Sequence, residues 1–175
     1  MRLFAAVDLP SDVRASLERW TNRHRPAGAG YKWVAAANLH ITLKFIGERP
    51  DAQVPAISQA LARVNFPSPI EITVDGVGSF PNVLFANVQS TDALAALARD
   101  IEQCVFPLGI APEKRAFTPH LTLARRKEGG RLPVGLGAEE KFGRFAADEF
   151  ILYQSVLGPK GSTYTPLRRF RCLKP

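Results

Sequence analysis

His40-Ile41-Thr42-Leu43 and His120-Leu121-Thr122-Leu123 are one phrase written twice, eighty residues apart. Each alternates polar with apolar, so on an extended strand the His and Thr share one face while Ile41, Leu43, Leu121 and Leu123 point the other way, into a core. Each is therefore a strand with chemistry on one side. The two copies use two of the three histidines in the chain, which points to a pair of facing half-sites.

Around the first copy, residues 2 to 9 read as a buried strand ending at Pro10. Ser11 stands where a helix N-cap belongs, and Val13, Leu17 and Trp20 recur at helical spacing, predicting a helix over 11–24. His24, at its end, reads as a solvated helix-terminal cation because nothing pairs with it in sequence. A short strand is expected at 31–34 and the first motif strand at 39–46, closed by Gly47. Asp51 opens a second helix through about Val64, with Val54, Ile57, Leu61 and Val64 inward and Pro55 tolerated in its first turns.

Toward the second copy, Ile70, Ile72 and Val74 alternate, so 69–80 is a strand, bulged at Gly76 or Gly78, that returns antiparallel over 83–88 through Pro81-Asn82. A third helix runs from Asp92 to Phe106 with Leu94, Leu97, Ile101 and Cys104 or Val105 on its apolar face. The segment 107–119 delivers the second motif strand at 119–125. Residues 126 to 140, rich in Gly and charge, read as a mobile loop. Strand-like runs 149–157 and 164–173 close the chain, separated by Gly158-Pro159-Lys160-Gly161. The pattern is α+β with an internal near-repeat, one domain over 1–175 in two lobes, with no linker long enough to separate independent units.

The chain has 23 Lys and Arg against 16 Asp and Glu, a net charge of +7, and a sequence pI near 9.8. That balance favours a polyanion such as nucleic acid or an anionic membrane, or else serves solubility. Cys104 and Cys172 lie far apart without ligand spacing, and read as two free, buried thiols in a reducing cytoplasm. The apolar part of the first ten residues is too short for a signal peptide and no run approaches the ~20 residues of a membrane span, so a soluble, cytoplasmic protein is expected.

Two imidazoles can hold one neutral and one protonated ring near neutral pH, the state needed for simultaneous general base and general acid. The Thr two residues on lies about 6.6 Å along the strand on the same face and places a hydroxyl beside each ring. Two such strands across a cleft would surround a tetrahedral anion, suited to in-line displacement at phosphorus without a metal. Zinc would need a third and usually a fourth ligand, and neither motif carries an acidic or Cys partner at ligand spacing. Arg125 falls off the His/Thr parity by strict alternation; a bulge could aim it at phosphate, or it is an ordinary surface Arg. Phe45, at the matching place in the first motif, shares parity with Ile41 and Leu43 and so reads as core. Lys44, on the His40 parity, reaches either phosphate or solvent.

Taken together, Arg2-Leu3-Phe4-Ala5-Ala6-Val7-Asp8-Leu9-Pro10, Asn38-Leu39-His40-Ile41-Thr42-Leu43-Lys44-Phe45-Ile46-Gly47-Glu48, Phe117-Thr118-Pro119-His120-Leu121-Thr122-Leu123-Ala124-Arg125 and the tail with Leu152-Tyr153 and Tyr164-Thr165-Pro166-Leu167 resemble the 2H phosphoesterase superfamily, and within it the RNA 2′,3′-cyclic phosphodiesterases, also called 2′-5′ RNA ligases. The resemblance spans nearly the whole chain. It implies a bilobal α+β fold in which two antiparallel sheets flanked by helices each bring one motif to a pseudo-two-fold central cleft.

It further implies cofactor-free hydrolysis of a terminal 2′,3′-cyclic phosphate on RNA to a 2′-phosphomonoester, with reversible, ATP-independent 2′-5′ joining of tRNA halves in some members. No obligate protein partner and no membrane are expected. By resemblance His40 donates a proton to the leaving 3′ oxygen, His120 accepts one from water, Thr42 and Thr122 bind phosphate, Arg125 helps hold substrate, and Phe45 matches a base-stacking place. The alternative within the same fold is a phosphodiesterase for 2′-5′ oligonucleotides or another small cyclic phosphate.

Overall fold

The computed structural model describes residues 1–25, 30–90, 92–127, 137–159 and 161–173. In chain order the elements are β1 (Arg2–Val7), α1 (Ser11–His24), β2 (Tyr31–Trp33), a 3-10 turn (Ala36–Asn38), β3 (Ile41–Glu48), α2 (Val54–Leu61), β4 (Ile70–Phe80), β5 (Val83–Ser90), α3 (Asp92–Val105), β6 (His120–Arg126), β7 (Lys141–Ala147), β8 (Glu149–Gly158) and β9 (Gly161–Arg171). Much of the expected order holds, with local corrections. Pro10, not Ser11, precedes α1 and receives the Arg14 N–H on its carbonyl. A 3-10 turn at Asp51–Gln53 opens α2, which stops at Leu61. Both cysteines, expected to be buried, are only half-buried.

Instead of two sheets, the nine strands form one, in the order β7-β4-β5-β6-β3-β1-β8-β9, with β2 paired to β6. Its described pairings are antiparallel. The two halves meet where β3 and β6 touch at a single register pair, Ile41 against Leu121. Strands that twist as they pair splay apart beyond a short contact, so the seam is one rung wide. That rung is why the halves look like separate sheets in sequence.

β7 carries no sequence expectation because its alternation is broken. It adds to β4 from Ile70 opposite Ala147 to Asp75 opposite Lys141, with a register shift that passes over Phe142. Gly143, at φ +146, lies so close to α1 that a Cβ would meet Val13 Cγ2 at 2.8 Å. A side chain there would push the helix off the sheet. The bulge foreseen in β4 sits at Gly76, between Asp75 and Val77, in a left-handed conformation of φ +66 that glycine adopts without strain. Most of the loop expected at 126–140 lies outside the described residues; its last part folds onto β4, the Gly76 N–H donating to Glu140 O at 2.6 Å.

One face of the sheet carries the main core. Leu17 and Trp20 of α1, Ile57 and Leu61 of α2, and Leu94, Leu97 and Ile101 of α3 pack there against Ile41, Leu43, Leu121 and Leu123. On the opposite face Phe4, Ala6, Ile151 and Tyr153 form a small separate cluster with Tyr164 against it. The helices therefore cover one side of the motif strands and leave the other open. Among the described residues no helix is long and apolar enough to cross a membrane.

Candidate active site

The Ile41–Leu121 rung decides the geometry. Both side chains are fully buried in the core, so their sequence neighbours project to the opposite face. In an antiparallel register the residues flanking that rung are His40 with Thr122 on one side and Thr42 with His120 on the other. The pseudo-two-fold relation runs through the seam. All four line one cavity of about 630 Å³, together with Phe45 and Arg125.

Each imidazole is held the same way. His40 Nδ1 lies 2.7 Å from Asn38 O and His120 Nδ1 lies 2.8 Å from Thr118 O. A carbonyl can only accept, so in both rings Nδ1–H is the donor and Nε2 is left to exchange protons toward the cleft. Thr42 Oγ1 stands 3.1 Å from His40 Nε2. Aromatic rings fix the planes: Tyr164 meets His40 edge-on at 5.2 Å, with Phe4 tilted against it at 4.9 Å. Phe80 and Phe85 meet His120 edge-on at 5.5 and 5.6 Å.

The polar groups behind His40 have no counterpart in the sequence reading. Arg14 on α1 forms an ion pair with Asp8 and donates to the carbonyls of Ala36 and, at 3.2 Å, of Leu39. The Asn38 side chain donates to Ser162 O at 2.6 Å, tying the turn before His40 to β9. Burial lowers the His40 pKa; the Asn38 carbonyl and the Asp8 carboxylate pull it up, and Arg14 and Arg125 pull it down further. Burial beside Asp8 pushes the Tyr153 hydroxyl up to about 12, so it stays protonated and bonded to that carboxylate.

Strict alternation fails in the same place in both motifs. In β3, Ala5 pairs with Lys44 and Ala6 with Thr42; in β6, Leu84 pairs with Ala124 and Phe85 with Thr122. One residue is skipped each time, Leu43 and Leu123, a bulge that sends it and the residue after it inward and reverses the parity beyond them. Arg125 is thereby on the cleft side. Phe45, expected in the core by parity, is 54% exposed and lines the cavity.

Lys44 is the residue that moves the other way. Expected at phosphate or in solvent, it is 2% exposed on the helix side, its ammonium donating to Glu102 at 2.7 Å and to Ala111 O at 2.8 Å. Glu113 lies 3.4 Å away. Burial pushes the Glu102 carboxyl up, but Lys44 and the Glu113 N–H pull it below its ordinary value. Lys44 is thus structural. His24 ends α1 as expected, but instead of standing in solvent it is half-buried, stacked on Trp20 and bonded to its carbonyl at 2.8 Å.

The cavity wall adds Arg2 and Lys32 to Arg125, and Trp33 and Tyr164 to Phe45, with no carboxylate side chain among its lining residues. Cations and aromatic faces around a pair of imidazoles suit a nucleotide phosphate. Lys32 and Trp33 stand side by side in β2 and escaped notice because three residues give too short a run to show alternation. Among the described residues, no three His, Cys, Asp or Glu side chains come together as a metal site.

The model of the family described as LigT like Phosphoesterase matches the chain twice, over residues 7–88 and 84–164, once for each motif. Proteins named RNA 2′,3′-cyclic phosphodiesterase are similar along nearly the full length: that of Archaeoglobus fulgidus is 34% identical, covering 97% of this chain and 99% of its own. That of Thermus thermophilus is 37% identical, covering 97% and 89%, and that of Escherichia coli 33%, covering 97% and 95%. The crystal structure of E. coli LigT complexed with 3′-AMP superposes with a TM-score of 0.84 at 32% identity, covering 98% of each chain. A Thermus thermophilus crystal structure gives a TM-score of 0.83 at 35% identity, covering 98% of this chain and 97% of that one. With its two motif strands meeting edge to edge at one rung and a full-length match on both sequence and shape, the chain belongs to the LigT-like phosphoesterase family.

Proposed function

We propose that the protein is an RNA 2′,3′-cyclic phosphodiesterase that opens the terminal cyclic phosphate of RNA to a 2′-phosphomonoester. The observation that carries this reading is the pair of His/Thr couples flanking the Ile41–Leu121 rung, each His bonded through Nδ1 to a backbone carbonyl. The names of the relatives give the same substrate.

In the proposed step water attacks phosphorus and passes a proton to His120 Nε2 while the P–O3′ bond breaks. The leaving 3′ oxygen takes a proton from His40 Nε2. Thr42 and Thr122 hold the non-bridging oxygens, and Arg125 helps hold the substrate in the cleft. The protonated and neutral rings exchange roles over the step and are reset by solvent. Phe45 offers a face for the terminal base. With a 5′-hydroxyl in place of water, the same arrangement would form a 2′-5′ linkage between RNA ends such as tRNA halves, without ATP.

The test is direct. Purified protein in EDTA is given RNA ending in a 2′,3′-cyclic phosphate, and the product's phosphate position is identified beside His40→Ala and His120→Ala. A 2′-phosphate that disappears with either imidazole is expected; near wild-type turnover by both variants, or a 3′-phosphate product, would sink the mechanism.

A further inference from the structure

The register between β2 and β6 sets Lys32 directly opposite Arg125. Residues directly opposed in an antiparallel pair project to the same face, and like charges there repel. Both are exposed and both line the cavity that holds the two imidazoles. Some cations of this protein do pair with acids, among them Arg14 with Asp8, Lys44 with Glu102 and Arg169 with Glu149. Lys32 and Arg125 take part in none of the ion pairs among the described residues.

We infer that Lys32 and Arg125 form a second anion subsite, which takes the phosphodiester on the 5′ side of the terminal nucleotide and so makes the enzyme prefer an RNA chain to a single nucleotide. This rests on the function proposed above. The pair is displaced from the His/Thr group along the cleft. Arg125 follows Thr122 by three residues, on the order of 10 Å along an extended strand before the bulge shortens it. β5 occupies the other edge of β6 at Arg125, so β2 takes over from β3 on one edge and Lys32 lies past the rung, on the side away from His120. With the cyclic phosphate between the imidazoles, the next phosphate on that nucleoside is the one on its 5′ oxygen. An anion there bridges two cations that otherwise repel across the strands. A nucleoside phosphate without a 5′ extension leaves them facing each other.

The decisive measurement is equilibrium binding of two unreactive ligands, adenosine 3′-phosphate and the dinucleotide ApA carrying a 3′-phosphate, to the full chain at fixed low salt. Wild type should bind the dinucleotide roughly tenfold or more tighter, the scale of hydrogen bonds between a phosphate and two cationic side chains. Lys32→Gln should reduce the dinucleotide's affinity at least about fivefold more than the mononucleotide's and lower its salt slope by roughly 0.7. Lys32→Arg should keep the preference, and so should Arg63→Gln, which removes the same charge from an exposed position outside the cavity. A wild-type ratio near one, or a Lys32→Gln variant that weakens both ligands equally, would overturn the subsite. Because no turnover is involved, a failure of cyclic phosphate hydrolysis strikes the proposed function and leaves this ratio to be read by itself.

Discussion

An imidazole whose Nδ1–H is tied to a carbonyl exchanges protons only through Nε2, and both motif histidines are tied in this way. Removing either ring should lower hydrolysis about 10²–10⁴-fold, and removing both should cost little more than removing one, because they act as a unit. Thr42→Val or Thr122→Val, each losing one bond to a charged phosphate, should cost roughly 10- to 150-fold. Single-turnover rates with a cyclic phosphate end would rank them; a Thr variant worse than a His variant would contradict the assignment. Burial lowers the His40 pKa despite Asn38 O and Asp8, so the free protein holds that ring neutral where an ordinary imidazole would already be partly protonated. A bound phosphate favours the proton again. The descending limb of kcat/KM should therefore fall below the ordinary imidazole value of ~6.5, and that of kcat, which reports the complex, should lie higher. A kcat/KM limb well above the ordinary value would remove His40 from the acid role. The same depression acts on stability: the unfolded chain takes up the proton first. His40's contribution is whole above about pH 6.5 and is lost as pH falls through the folded value. Acid unfolding of His40→Gln should show a shallower dependence than wild type.

Within each motif strand, two neighbouring residues do opposite jobs because of one bulge. Lys44→Met leaves the three-quarters buried Glu102 carboxylate without its cation, and should destabilise the fold by about 3 kcal/mol in urea titration. Adding Glu102→Gln should restore part of that loss; an additive double variant would mean the ion pair is not what holds α3 to β3. Phe45→Ala, on an exposed ring, should change stability by no more than about 0.5 kcal/mol. It should weaken nucleotide binding by roughly 1–3 kcal/mol if the base stacks there. These neighbours also show where sequence reading stops. The alternation of His40 to Leu43 and His120 to Leu123 was legible, because strand parity and burial agree there. Past Leu43 and Leu123 parity reverses, and nothing in the residue types announces it: Lys44 reads as a phosphate cation and Phe45 as core until the register is known. β7 was missed for the same reason, its bulge at Phe142 hiding a strand that the Gly143 contact with α1 fixes in place.

Over the whole molecule, the order of elements and the α+β class could be read from periodicity, while the joining of two half-sheets through Ile41 and Leu121 could not, since one rung leaves no sequence signature. The main core is continuous across that seam, so thermal unfolding followed by tryptophan fluorescence and by far-ultraviolet dichroism should give coincident midpoints. Trp20 and Trp33 both lie toward the β7-β4-β5-β6 half, Trp20 packing on Phe142 and near Trp33, so an earlier fluorescence transition would show that half melting alone. The two family matches, one per motif, fit a chain built from two related halves. Their motif side chains are equivalent, His and Thr facing His and Thr across a dyad. At the position just past each bulge the equivalence ends, with an aromatic ring from one half and a guanidinium from the other. A perfect dyad would accept a ligand in either of two poses half a turn apart. Phe45 against Arg125 breaks the tie at matched positions of the two motifs, so under the proposed function the dyad does not leave the polarity of a bound strand open.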